Sequence, residues 1–143
     1  MISGTLGKVR SQHGKEKTMI RFTIPYITPQ IRTMKQFCRL FGLNAIYAGK
    51  HWAQRKKDAE YWHLIVTNCL SCQNVPHKPN VKPVTITFWW NDRMDCSNHA
   101  YAAKMIEDAM KGWVIKDDSR RYVKEIRHKF YDGDCIAVEV NEA

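Results

Sequence analysis

The chain has 143 residues, enough for one domain with a core of its own. Its formal charge of +9 favours an anionic partner, nucleic acid before acidic membrane. No apolar run approaches the roughly 20 residues of a membrane span, there is no signal-peptide segment, and five cysteines fit free thiols in a reducing compartment, so a soluble cytoplasmic protein is expected.

Residues 1–17 offer little to bury and are expected to form a flexible basic arm ahead of a domain at 18–143. Met19 to Ile27 alternates β-branched and aromatic residues and stops before Pro29, which predicts a strand. A short helix is expected near Met34 to Leu40. A loop follows from Gly42 to Trp52, carrying Asn44, Tyr47, Lys50 and His51. From Gln54 to Leu70, Ala59, Trp62, Val66 and Cys69 recur at helical spacing. The first turn of this helix is basic (Arg55, Lys56, Lys57), a mismatch with the helix dipole that a bound phosphate would relieve. Solvated lysines are the commoner explanation.

Cys69 and Cys72 have the spacing of a zinc half-site, but only the lone His77 follows, so two small apolar thiols at a helix end are expected instead. Three prolines between Cys72 and Pro83 mark a connector. Val84 to Trp90 predicts a strand with Val84, Ile86, Phe88 and Trp90 on one face. A second helix is expected from Ser97 to Lys111, with Ser97 or Asn98 as its N-cap. Val123 to Phe130 and Cys135 to Val140 flank Asp132-Gly133, which predicts a terminal hairpin. The fold class is therefore α/β (α+β): a single small domain, a mixed β-sheet with two main helices and a C-terminal β-hairpin.

Charge is segregated along the chain. Twelve Lys and Arg stand against one acid up to Lys57, whereas six carboxylates gather between Asp92 and Asp118. On the second helix, Ala102, Met105, Ile106 and Ala109 form an apolar stripe. Ser97, Tyr101, Lys104 and Asp108 fall within a sector of about 60° on another face. Asp95 enters this helix and Asp117-Asp118 follows it, so loop, helix face and second loop are expected to converge. Carboxylates suit Mg²⁺, which wants oxygen ligands, and a lysine beside them stabilises charge on a phosphodiester. A solvated surface pair between Lys104 and Asp108, with a turn at Asp117-Asp118, fits the same spacing.

With these residues in view, the chain resembles the RusA family of Holliday junction resolvases, small dimeric endonucleases of prophages. Asp95-Cys96-Ser97-Asn98 matches that family's Asp-x-Asp-Asn. Lys104 and Asp108 match a lysine and an aspartate one turn on, and Asp117-Asp118 matches its Asp-Asp pair. Ile24-Pro25, Leu43-Asn44 and the Tyr47-to-Trp52 segment match the N-terminal half, and the likeness runs from Met19 to Val140. Two departures stand out: Ser97 occupies the place of a second metal-binding aspartate, and the stretch from Asn98 to Lys104 is longer than in the shortest members.

The resemblance implies a homodimer that binds branched DNA, four-way junctions above all, and makes paired symmetric nicks with Mg²⁺ in recombination and repair. It implies Asp95, Lys104 and Asp118 as catalytic residues and Asp95, Asp117 and Asp118 as metal ligands, with Ser97, Asn98 and Asp108 in support. Asp92 or Asp108 would replace the missing carboxylate. Asn44, Lys50, His51, Arg55, Lys56 and Lys57 are the expected DNA contacts, widened by Arg120, Arg121, Lys124, Arg127 and Lys129. The tryptophans are expected in the core or a dimer interface. A junction-binding protein that does not cleave, or cleaves weakly, is the alternative, as is a nuclease acting on flaps or forks.

Overall fold

Strand β3 (Val84–Trp90) takes the position its composition demands. A run of Val, Thr, Ile, Phe and Trp wants partners on both edges, and β3 has them: it pairs antiparallel with β5 (Cys135–Glu142) and parallel with β4 (Val123–Phe130). The computed structural model describes residues 5–10 and 16–143. It completes a five-stranded sheet in the order β1-β2-β5-β3-β4, where β1 is Thr5–Arg10 and β2 is Glu16–Pro25.

The mixed sheet and the single small domain are as the sequence predicts. The terminal hairpin is not. Strands β4 and β5 are separated by β3 and do not pair. The Tyr131–Asp134 connection instead passes the end of β3, where the Tyr131 amide donates to the Trp90 carbonyl at 3.0 Å and the Asn91 side chain donates to the Gly133 carbonyl at 2.8 Å. The apolar β3 gains most from two neighbours, and the charged Lys124-Glu125-Ile126-Arg127 stretch of β4 tolerates an edge. The expected arm also needs correction, since Thr5–Arg10 pairs with Glu16–Arg21. Residues 1–4 and 11–15 lie outside the described residues.

Four helices accompany the sheet: α1 (Met34–Phe41), α2 (Leu43–Tyr47), α3 (Trp52–Cys72) and α4 (Ala100–Met110). Thr33 caps α1 by accepting from the Gln36 amide at 3.1 Å. The buried stripe of α3 is Asp58, Trp62, Val66 and Leu70, spaced by four; Ala59 lies outside it, exposed. Trp62 is 1% exposed and meets Phe37 and Phe41 edge-on, with centroids 5.9 and 5.1 Å away. Truncating it to alanine removes about 3–5 kcal/mol.

A parallel β3–β4 pair requires a crossover, which a 3-10 turn (Cys96–His99) and α4 provide. That crossover carries the acidic segment. Asn98 does not cap the helix that follows it. Its side-chain oxygen accepts from the Asn44 amide at 3.2 Å, so it ties this turn to the first turn of α2. No helix among the described residues is long and apolar enough to cross a membrane.

Candidate functional site

Helix α4 is buried on most of its circumference: Tyr101, Ala102, Ala103, Ile106, Glu107, Ala109 and Met110 all lack solvent. Lys104 and Asp108 are the residues of its middle turns that face out. Beyond the helix, Gly112 adopts φ +80° and its amide donates to the Ile115 carbonyl at 2.8 Å. A left-handed backbone there suits glycine. Val114 and Ile115 are fully buried and anchor the reversal, which carries Asp118 back alongside α4.

The result is a cluster of three carboxylates and two lysines. Lys104 Nζ donates to Asp118, and lies 3.2 Å from Asp108 and 3.3 Å from Glu107. Lys111 Nζ lies 3.1 Å from Asp118 and 3.2 Å from Asp108. Glu107, Asp108 and Asp118 each present an oxygen within 4.8 Å of the others.

The electrostatics of the cluster are uneven. The Lys104 hydrogen bond, reinforced by Lys111 against a smaller effect of burial, holds the Asp118 carboxyl well below the usual range. Burial works against a charged Lys104, but its bonds to Asp118 and Asp108 outweigh it and raise the ammonium above an ordinary lysine. Glu107, whose side chain is 5% exposed, goes the other way: burial raises its carboxyl, Lys104 opposes, and the charges of Asp118 and Asp108 add to the rise. Three oxygens of hard ligands, one of them on a buried carboxyl crowded by like charges, fit a divalent cation.

The fold thus brings Lys104, Asp108 and Asp118 together and adds Glu107 and Lys111. An acid next to Asp108, three residues after Lys104 and on the apolar side of the helix, was the signal for Glu107. Asp117 is half-buried and supplies no oxygen to the cluster. Asp95 is exposed ahead of the 3-10 turn, where its carbonyl accepts from the Asn98 amide, and it too stands outside the cluster. Ser97 is exposed in that turn. Tyr101, expected beside Lys104, points inward and donates to Asp58 at 2.6 Å.

Asp92 does not serve as a replacement ligand. Its side chain is fully buried, with His99 Nε2 at 2.8 and 2.9 Å from its two oxygens. Tyr26 donates to it at 2.8 Å and the Met94 amide at 2.9 Å. Burial alone would raise its carboxyl, but these donors overcome it and lower the pKa. Asp92 organises the loop between β3 and the 3-10 turn. Of the two candidate replacements, Asp108 is the one in the cluster.

The expected DNA contacts divide. Lys50 must be withdrawn. Its side chain is 8% exposed, donates to the Leu40 carbonyl at 2.6 Å, pairs with Asp58, and lies over the Phe41 and Tyr101 rings. His51 caps α3, its Nδ1 accepting from the Ala53 amide at 3.1 Å. Asn44, Arg55, Lys56 and Lys57 are exposed, and Lys56 shares a groove with Glu60, Met105 and Asp108. Arg120 and Arg121 are exposed, as are Lys124, Arg127 and Lys129 on the edge strand. Arg127 is already paired with Glu125 at 2.7 Å. No family model, curated protein or solved structure matches this chain.

Proposed function

We propose that this chain is a Mg²⁺-dependent endodeoxyribonuclease that resolves four-way DNA junctions by paired symmetric nicks, acting as a homodimer. The observation that carries this reading is the meeting of Lys104 with Asp118, Asp108 and Glu107 at the surface of a strongly basic chain. Glu107, Asp108 and Asp118 are the residues that would hold the ion. Bound Mg²⁺ supplies an activated water at neutral pH and neutralises phosphate charge.

The rest of the work falls to side chains. Lys104 is 53% exposed and held protonated by its neighbours, so a phosphodiester can reach a fixed positive charge there. Lys56 shares a groove with Asp108, and Arg55 and Lys57 are exposed beside it in the chain; these cations would take flanking phosphates, which position a duplex without reading its sequence. A two-fold protein suits a two-fold junction.

A junction-binding protein without cleavage is the second reading. It is favoured by Ser97 standing where a carboxylate is expected and by Asp95 lying outside the cluster. Incubation of a synthetic four-way junction with the protein in Mg²⁺, in Ca²⁺ and in EDTA separates the two. Paired nicks in Mg²⁺ alone support the nuclease; a bound but intact junction in Mg²⁺ supports the binder.

A further inference from the structure

Two aromatic side chains sit where their size argues against them. Tyr47 is 78% exposed and Trp52 is 66% exposed, whereas Trp62 and Trp90 are 1% and 0%. They bracket one turn, Tyr47 closing α2 and Trp52 opening α3. The turn is rigid beneath them. Gly49 takes φ +92°, its amide donates to the Ile46 carbonyl at 3.0 Å, and Lys50 is plugged into the interior against Leu40 and Asp58. On the far side, His51 is locked as a cap and its ring lies 5.6 Å from that of Trp52, tilted by 33°.

The chemistry around these rings is one-sided. Arg55, Lys56 and Lys57 follow within the next turn, exposed and without an ion pair among the described residues, while the adjacent acid, Asp58, is turned inward to Lys50 and Tyr101. Single exposed apolar residues are ordinary, whereas exposed apolar groups gathered in one place mark interaction sites. Two exposed rings at the ends of one hydrogen-bonded turn, followed by cations with no ion pair among the described residues, have the composition of a platform for nucleobases, in which rings stack and cations follow the backbone.

We propose that Tyr47 and Trp52 stack on nucleobases left unstacked at a DNA branch point, with Arg55, Lys56 and Lys57 on the flanking phosphates. The inference rests on the DNA reading above and assigns the element that distinguishes branched or single-stranded DNA from plain duplex. Phosphate contacts alone would not make that distinction.

The test compares full-length wild type, Trp52→Ala, Trp52→Phe and Tyr47→Ala for binding to a four-way junction, a single-stranded oligonucleotide and a duplex, all in EDTA. Both alanine variants should lose about 5- to 150-fold in affinity for the junction and the single strand, with duplex binding unchanged. Trp52→Phe should keep most of the affinity. Wild-type tryptophan emission should be quenched by the single strand, and Trp52→Ala should lose that quench. Unchanged junction affinity in both alanine variants overturns the proposal, as does an equal loss on duplex. A shift in sedimentation from dimer to monomer on Trp52→Ala also overturns it, because the rings would then face a second copy of the chain. Wild type that binds none of the three DNAs would instead remove the DNA reading itself.

Discussion

Lys50 and Asp58 form an ion pair whose side chains are 8% and 5% exposed. The pair is completed by Tyr101 from α4 and by Gln54, which donates to Asp58 at 3.2 Å. A lysine in a basic loop is thereby converted from a surface charge into an anchor joining the α2–α3 turn to α4. Desolvating both partners costs heavily, and removing one strands the other.

Lys50→Ala should therefore lose about 3–5 kcal/mol of stability in urea denaturation. It should leave the salt dependence of DNA binding where it was. A flatter slope without loss of stability would mean that Lys50 reaches phosphate after all.

The outward lysines should behave in the opposite way. Charge reversal of Lys56 and Lys57 should weaken binding to junction and duplex alike, while unfolding free energy changes by no more than about 1 kcal/mol. Each lost contact flattens the slope of log K against log salt by about 0.9, so the pair should remove about 1.8. An unchanged slope would move the DNA surface to Arg120–Lys129.

Asp118→Asn should cut nicking of a four-way junction by about 100-fold or more. Gel-shift affinity for the junction should hold or rise, because a negative charge leaves a basic surface. Wild-type nicking rates in this variant would remove Asp118 from the site.

The two buried carboxyls, Asp92 and Glu107, should respond to pH with opposite sign. Asp92 has a folded-state pKa below its ordinary 3.8, so the unfolded chain binds more protons and stability rises with pH. Its contribution is complete above that ordinary value and is lost as the pH falls through the lower, folded value. Asp92→Ala should cost about 3–5 kcal/mol at neutral pH and much less in acid. Thermal melts across about pH 2 to 6 read this directly, and a pH-independent cost would place the stabilisation in packing.

Glu107 has a folded-state pKa above its ordinary 4.5, so its charged form is disfavoured by folding and its contribution falls as the pH rises through that range. Glu107→Gln should leave the metal-free protein at least as stable at neutral pH. The same variant should raise the Mg²⁺ concentration needed for nicking. A normal Mg²⁺ midpoint would show that Asp108 and Asp118 suffice.

What the sequence alone determined is the local part. Val84–Trp90 reads as a strand because seven β-branched and aromatic residues leave no other use for them, and the spacing of Trp62 and Val66 puts both on the buried face of α3, although Ala59 and Cys69, read into the same stripe, give way there to Asp58 and Leu70. Lys104 and Asp108 are one turn apart in any helix, so their pairing was legible too. Tertiary structure decided the rest, because it depends on what a folded chain brings from far away. The reversal at Gly112 delivers Asp118 to Lys104, and Glu107 joins them only because α4 is buried on nearly every side. Lys50 goes inward because Asp58, Leu40 and two aromatic rings are waiting, while Trp52, two residues on, stays 66% exposed. Strand β3 separates β4 from β5 for the same reason: pairing is settled by competition for the centre of the sheet, which neither Asp132 nor Gly133 can see.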